Sequence, residues 1–391
     1  MTAPTKKYFS FLEFFAGGGM ARIGLGEDWR CMLANDIDPQ KCAAYRANFG
    51  GDDLIEGDIA AIDPGRLPHE RVDLVWGSFP CQDLSLAGAR AGMGGARSGA
   101  FFSLWSHIET LARRGAHPRV IALENVAGLM TSNGGGDFRT IMTLITGAGY
   151  RATACVLDAN RFTPQSRPRL FILAFAPDIA PPAADAPNEE TAPPALQAAV
   201  ASLPENVRAR WFWLDVAPRA KRNIRFGDVI DWNAPHWHEP AQTRALIEMM
   251  APRQRARLDA LIRTGARRAG AAFRRTRSEN GASVQRLEAR FDGLAGCLRT
   301  PAGGSSRQIV IAVDKGAART RLLGPREAAQ LMGLPDDYVL PDNTGAALKL
   351  CGDGVCAPVV RWLAQDVLEP ALIRARMRDP AHAQGGGTKA A

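Results

Sequence analysis

Cys81 stands in the stretch GSFPCQDLS, behind a proline and just past a short apolar run, Val72 to Trp76. A structural thiol would lie more naturally inside such a run. At the carboxyl end of a strand it lies where α/β sheets place their chemistry. ALENVAGL ends a second apolar run, Val120 to Glu124, on a carboxyl group. TPQSRPRLFIL opens a third with Arg167 and Arg169 two apart, so that both can face one side of a strand. Together these supply a nucleophile, a proton donor and a cation to hold a developing negative charge. Alone, each has a plainer explanation: a small buried hydrophobe, a solvated acid, an ion-paired surface. As an ordered set on one sheet edge they point to covalent catalysis.

A second group surrounds the first strand. FFAGGGMARIGLG follows that strand and opens a helix, so glycines let a ligand approach the backbone and the helix start offers N–H groups. A dinucleotide fingerprint is excluded by spacing, because GxGxxG counted from Gly17 places Arg22 at the last glycine. Asp36, in LANDID, ends a second strand and suits ribose hydroxyls. Asp58, in EGDI, fits a third position on the same edge and can accept from an adenine amino group. Ribose and adenine without phosphate describe S-adenosylmethionine. A thiol, an acid and an arginine beside such a methyl donor fit one reaction well. Carbon 5 of cytosine is too weak a nucleophile to take a methyl group from a sulfonium. A thiolate adding at carbon 6 makes carbon 5 enamine-like, a carboxylic acid at N3 relieves the ring's charge, and an arginine at O2 holds the ring. Cys81, Glu124 and Arg169 supply these functions.

The elements that must position these groups read as alternating strands and helices. Strands are expected at Tyr8–Phe15, Cys31–Asp36, Val72–Trp76, Val120–Glu124 and Leu170–Phe175, with helices from about Ala21, at Asp38–Phe49 and at Phe101–Arg114. The fold class is therefore α/β, a doubly wound, mostly parallel sheet. After Phe175 the composition changes: APDIAPPAADAPNEETAPPAL reads as a linker or surface crossing. A helical stretch is expected from about Glu239 to Arg268, RRTRSENGASVQRLEARFDG has no clear periodicity, and REAAQLMG and the final apolar stretch signal further helices. Trp211, Trp213 and Trp237 are expected in the core of a smaller second domain.

The hydrophobic share is 46% and the formal net charge +8. From Glu205 to Arg299 there are 19 basic against 10 acidic side chains, a surplus of 9, which leaves the rest of the chain near neutral. A basic segment beside a neutral one suits a polyanionic partner. No apolar stretch approaches the ~20 residues of a membrane span. The opening MTAPTKKYFSFLEFF has no secretory h-region, so a cytoplasmic setting is expected. Seven cysteines without a CxxC pair suggest reduced thiols, and no metal site is expected.

The ordered motifs FAGGGMARIG, ANDID, EGDI, GSFPCQDLS, ENV, QSRPRL, REAAQLMGLPDDY and GDGVCAPV resemble those of the cytosine-5 DNA methyltransferase family, bacterial or phage type, over nearly the whole chain. The resemblance implies the class I S-adenosylmethionine-dependent methyltransferase fold with a second, smaller target-recognition domain. It implies Cys81 as nucleophile, Glu124 as N3 proton donor and Arg169 as the O2 contact, with Gln165 and Arg167 supporting the site. It places Phe15, Ala16, Gly17, Asp36, Ile37, Asp58, Ile59 and Pro80 at the cofactor, closed by the backbone near Asp353 to Val355. The implied domains are 1–176 (catalytic, cofactor-binding), 177–345 (target recognition), 346–380 (packing back on the first) and 381–391 (a disordered tail). The implied substrate is double-stranded DNA, acted on by a monomer, with a separate restriction endonuclease as a possible companion. Three features depart from the family's pattern. Met20 stands where a glycine is common, GN-x-V reads Gly352-Asp353-Gly354-Val355 followed by Cys356, and Leu84 replaces a common Phe. None removes a reacting group. The alternatives are the same transfer to cytosine in tRNA, and an inactive DNA-binding relative.

Overall fold

Apolar runs buried on both faces are what a covered parallel sheet demands, and seven short strands meet that demand. The computed structural model describes residues 9–80, 99–216, 222–279, 281–300 and 307–378. Cys81 and the glycine-rich stretch after it lie outside the described residues. Strands β1 (Phe9–Phe14), β2 (Trp29–Asp36), β3 (Leu54–Glu56), β4 (Leu74–Gly77), β5 (Val120–Val126), β6 (Arg151–Asp158) and β7 (Pro168–Phe175) form one sheet in the order β3-β2-β1-β4-β5-β7-β6. The pairings among β1 to β5 are parallel, and β7 runs antiparallel to β5. The strand order reverses between β1 and β4, so a crevice opens beyond their carboxyl ends. Because β7 is antiparallel, its first residues reach the edge where β5 ends.

The connections explain themselves locally. Asp38 caps the helix Pro39–Phe49, accepting from the N–H groups of Gln40 (2.9 Å) and Lys41 (3.3 Å), and Gly50 ends it at φ 79°. The helix Ala100–Arg113 buries Phe101, Leu104, Trp105, Ile108 and Leu111, one face at helical spacing. It lies so close to the sheet that a Cβ on Gly77 would stand 2.6 Å from Leu104 Cδ2. Among the described residues no helix is long and apolar enough to cross a membrane.

The chain divides into two compact units, 1–157 with 168–219 and 359–391, and 158–167 with 220–358. The composition break after Phe175 does not coincide with this division. β6 is the sheet's last strand, and the Pro-rich segment together with the chain that follows it covers its open edge: Val156 N–H donates to the Thr191 carbonyl (2.7 Å), Ala152 N–H to that of Arg210 (3.0 Å), and Phe212 N–H to that of Ala152 (3.2 Å). Short strand β8 (Ala183–Ala184), in the Pro-rich segment, pairs antiparallel with β9 (Trp213–Leu214), beyond it. Trp211 and Trp213, packed edge to face at 5.2 Å, therefore belong to the first unit and not to the second. The late helix Glu369–Arg378 returns to the first unit as well. Trp29 donates to Glu369 (2.9 Å), and Arg376 (2.8 Å) and the Ser10 N–H (2.9 Å) donate to the buried carboxylate of Asp73. A buried acid needs such partners.

The second unit is built on an antiparallel sheet, β11-β10-β12-β13, from β10 (Arg268–Glu279), β11 (Ala282–Arg290), β12 (Ile309–Asp314) and β13 (Ala317–Leu322). The stretch without periodicity is the β10–β11 hairpin. The expected single helix from Glu239 is two, Pro240–Glu248 and Pro252–Arg263, because Pro252 cannot continue a helix and starts a new one instead. Ile247, Met250 and Leu258 from this region pack on Ala272, Leu287, Ile309, Ile311 and Val313.

Candidate active site and cofactor pocket

At the carboxyl ends of the parallel strands the first unit gathers most of the expected site residues. β1 ends in a tight turn in which Phe15 takes φ 59° and Gly17 φ 56°. A bulky residue in the left-handed region is an outlier that a fold tolerates where backbone must face a ligand. Asp36, at the end of β2 and 7% exposed, closes this turn: Oδ2 accepts from the Gly17 N–H (2.8 Å) and Oδ1 from the Asp38 N–H (2.8 Å). A carboxylate has about four acceptor positions, so Asp36 keeps capacity for a ligand hydroxyl while it shapes the loop. Ile37 beside it is 65% exposed, an apolar surface held out at the crevice. Asp58 caps the short turn Ile59–Ala61 through Ala60 N–H (2.9 Å) and is exposed, while Ile59 is buried. Pro80 follows β4, exposed, next to Cys81.

Two residues hold this edge without having been singled out from the sequence. Asn35 Nδ2 donates to the carbonyls of Ile55 (2.9 Å) and Gly57 (3.0 Å), fixing the chain that carries Asp58. A His107 ring nitrogen lies 2.8 Å from the Ile59 carbonyl, and the ring stacks on Phe14 at 5.6 Å. Asn35 adjoins a motif residue, so the signal was there; His107 comes from a helix far along the chain and gave none.

The catalytic candidates Glu124 and Arg169 meet across β5 and β7. Val126 pairs with Arg169 and Glu124 with Phe171, so Glu124 and Arg169 are diagonal neighbours on one face. Arg169 Nε lies 3.1 Å from Glu124 Oε1, and both are largely buried. Asn125, between them in register, donates from Nδ2 to the Phe79 carbonyl (2.9 Å), fixing the backbone two residues before Cys81. Its place in ENV could have revealed it.

Gln165 and Arg167 lie in the second unit and are buried, at 0% and 2% exposure. Gln165 donates to the Leu331 carbonyl (2.9 Å) and accepts from the Leu298 N–H (3.0 Å). Arg167 donates to the carbonyls of Leu298 (3.0 Å), Gly352 (2.8 Å) and Gly354 (2.7 Å). These two side chains therefore position backbone. Val355 is buried, and exposed Asp353 accepts from the Thr300 hydroxyl. Gly352 is sterically required, since a Cβ there would stand 2.6 Å from the Arg299 carbonyl carbon and 2.7 Å from Thr300 N.

Glu13, inside β1 beneath the turn, is buried, and its Oε2 has no hydrogen-bond partner among the described residues. Burial pushes its carboxyl up to about 8, and the Arg22 charge and N–H pull it back only in part. The folded state thus holds a proton that the unfolded chain has released above about 4.5. Stability is full below that pH and falls as pH rises through about 8, by a few kcal/mol in all. Glu13→Gln, which cannot ionise, is expected to flatten this loss in urea titrations between pH 6 and 9. Parallel curves for variant and wild type would show that Glu13 does not carry it.

The family model described as C-5 cytosine-specific DNA methylase matches residues 9–369. The chain is 26% identical over 363 residues to the type II methyltransferase M.NlaX of Neisseria lactamica, covering 92% of this chain and 96% of that one. With the type II methyltransferase M.BsuFI of Bacillus subtilis it shares 33% identity over 172 residues, 44% of this chain and 40% of that one. The solved Dnmt2 methyltransferase of S. pombe matches with a TM-score of 0.58 at 16% identity, over 95% of this chain and 100% of that one, a likeness of fold.

Proposed function

The chain belongs to the C-5 cytosine-specific DNA methylase family, and from that premise we propose that it transfers a methyl group from S-adenosylmethionine to carbon 5 of a cytosine in one short sequence of double-stranded DNA. The observation that carries this reading is the Glu124–Arg169 pair, 3.1 Å apart, on the sheet edge where Asn125 anchors the chain leading to Cys81. The thiolate of Cys81 adds to carbon 6 while Glu124 delivers a proton to N3 and Arg169 holds O2, so carbon 5 gains the electron pair it needs. Because a stacked cytosine exposes neither face, the base must leave the duplex to be attacked.

The crevice lining suits the cofactor. Asp36 and Asp58 bring carboxylates, the Gly17 side faces space with Lys41 Cδ the nearest atom at 3.9 Å, and Ile37 offers an apolar face for a base. Such a lining favours hydroxyls, an amino group and a sulfonium over a pyrophosphate. When bound, the cofactor supplies an electrophilic methyl group. Phe15, Ala16, Gly17, Asp36, Ile37, Asp58, Ile59 and Pro80 would hold it from the first unit. The family resemblance adds Asp353 and Val355 to this set.

On this proposal the first unit is the catalytic and cofactor-binding part and the basic second unit recognises the target. The protein acts as a cytoplasmic monomer, and any companion restriction endonuclease is a separate protein. Expression in cells lacking cytosine methylation, followed by conversion sequencing, tests it. Methylcytosine confined to one short motif is the expected result. An unmodified genome with folded protein present would overturn it, and methylation of tRNA instead would move the substrate to RNA.

A further inference from the structure

A cleft of about 660 Å³ lies wholly within the second unit, lined by Arg161, Arg222, Asn223, Arg225 and Phe291, with Asp292 on its wall. Its charge is unbalanced. Asp292 is taken by Arg290, which donates to it through Nε (2.9 Å) and Nη2 (2.6 Å) and holds its carboxyl below the usual range. Neither Arg222 nor Arg225 makes an ion pair among the described residues. The Arg222 N–H donates to the Arg161 carbonyl (2.9 Å), which brings the two residues to one side of the cleft, and one Arg222 Nη donates to the Ile224 carbonyl. Its Nε is buried without a hydrogen-bond partner. Burial lowers the Arg222 guanidinium below its usual range; the Asp292 charge offsets this in part, and the neighbouring Arg225 and Arg290 charges add to it. Arg222 and Arg225 thus share with Arg290 the one carboxylate on the cleft wall, Asp292, whose hydrogen bonds go to Arg290; guanidinium groups in such excess form a site that an anion completes, and the planar fork matches phosphate oxygens.

We infer that this cleft binds a backbone phosphodiester of the substrate DNA through Arg222 and Arg225, a contact that anchors the duplex without reading its sequence. The inference rests on the DNA-methylating function proposed above. Phosphate contacts carry position and salt dependence, whereas base-edge contacts carry specificity. Removing one phosphate contact should reduce the slope of log affinity against log salt by about 0.9.

The test uses the full-length protein and a duplex containing the motif found by conversion sequencing. Binding is measured between about 50 and 200 mM salt for wild type, R222A/R225A and R222K/R225K. The alanine pair is expected to bind more weakly with a shallower salt slope, the lysine pair to recover much of that slope, and all three proteins to methylate the same motif. Equal slopes for wild type and the alanine pair would overturn the inference, as would a changed methylated motif, which would make these arginines base readers. Thermal unfolding of the lysine pair controls for folding. A wild-type chain that methylates no DNA would defeat the functional reading instead, and the slopes, measured then on a duplex of arbitrary sequence because a phosphate contact does not depend on it, would still report on the cleft.

Discussion

Replacing Cys81 by alanine is expected to abolish methyl transfer, by roughly 10⁴-fold or more, as loss of a covalent nucleophile does elsewhere. The residue lies outside the described part of the structure, but its approach is defined. β4 ends at Gly77, where a Cβ would stand 2.6 Å from Leu104 Cδ2 of the helix Ala100–Arg113. Phe79 is buried and its carbonyl is held by Asn125, the residue next to Glu124, which fixes the backbone up to Pro80. Alanine removes the sulfur and touches none of these anchors, so cofactor and DNA binding should remain. Two readouts check this. Methyl incorporation from a labelled donor should vanish. DNA carrying 5-fluorocytosine should form a denaturation-resistant adduct with wild type and none with the variant, since fluorine cannot leave as a proton does. Turnover surviving in Cys81→Ala would end the covalent mechanism.

How much of this was legible depended on whether the signal was local. Strands β1, β2, β4, β5 and β7 are largely apolar runs, as a sheet covered on both faces requires, and β2, β5 and β7 carry Asp36, Glu124 and Arg169 at or near an end. Asp36, Glu124 and Arg169 could be placed because a strand end is visible in sequence. The β10–β11 hairpin was not visible. Its outer half is stabilised by cross-strand charge pairs, Arg277 with Glu288 at 2.5 Å and Arg275 with Glu288 at 3.1 Å, and these leave no apolar alternation to read. The Pro-rich stretch after Phe175 looked like a linker because nothing in it announces that the Thr191 carbonyl caps the edge of β6. The final apolar stretch suggested one amphipathic helix and contains several, with a π-helical turn at Ala364–Leu368. Gln165 and Arg167 were placed by motif, yet their work on the carbonyls of Leu331, Gly352 and Gly354 is a long-range fact that spacing cannot carry.

Glu124→Gln separates proton transfer from packing. Glutamine keeps the shape of the side chain and a carbonyl oxygen that can accept from Arg169 Nε, which lies 3.1 Å from Oε1 in the native pair. The register of β5 on β7 and the Asn125 bond to Phe79 are untouched. What is lost is the acid. An amide can donate a hydrogen bond to N3 but cannot give up the proton, so the charge created by thiolate addition stays in the ring. General acid catalysis of this kind contributes about 10²–10⁴-fold, and the turnover number should fall by that amount while KM for DNA and the unfolding temperature move little. Glu124→Ala should behave differently, losing turnover and also stability, because it removes the carboxylate that faces a largely buried guanidinium. The glutamine variant is therefore the decisive one. If it turns over within tenfold of wild type, Glu124 serves only to orient Arg169, and the proton at N3 must come from elsewhere.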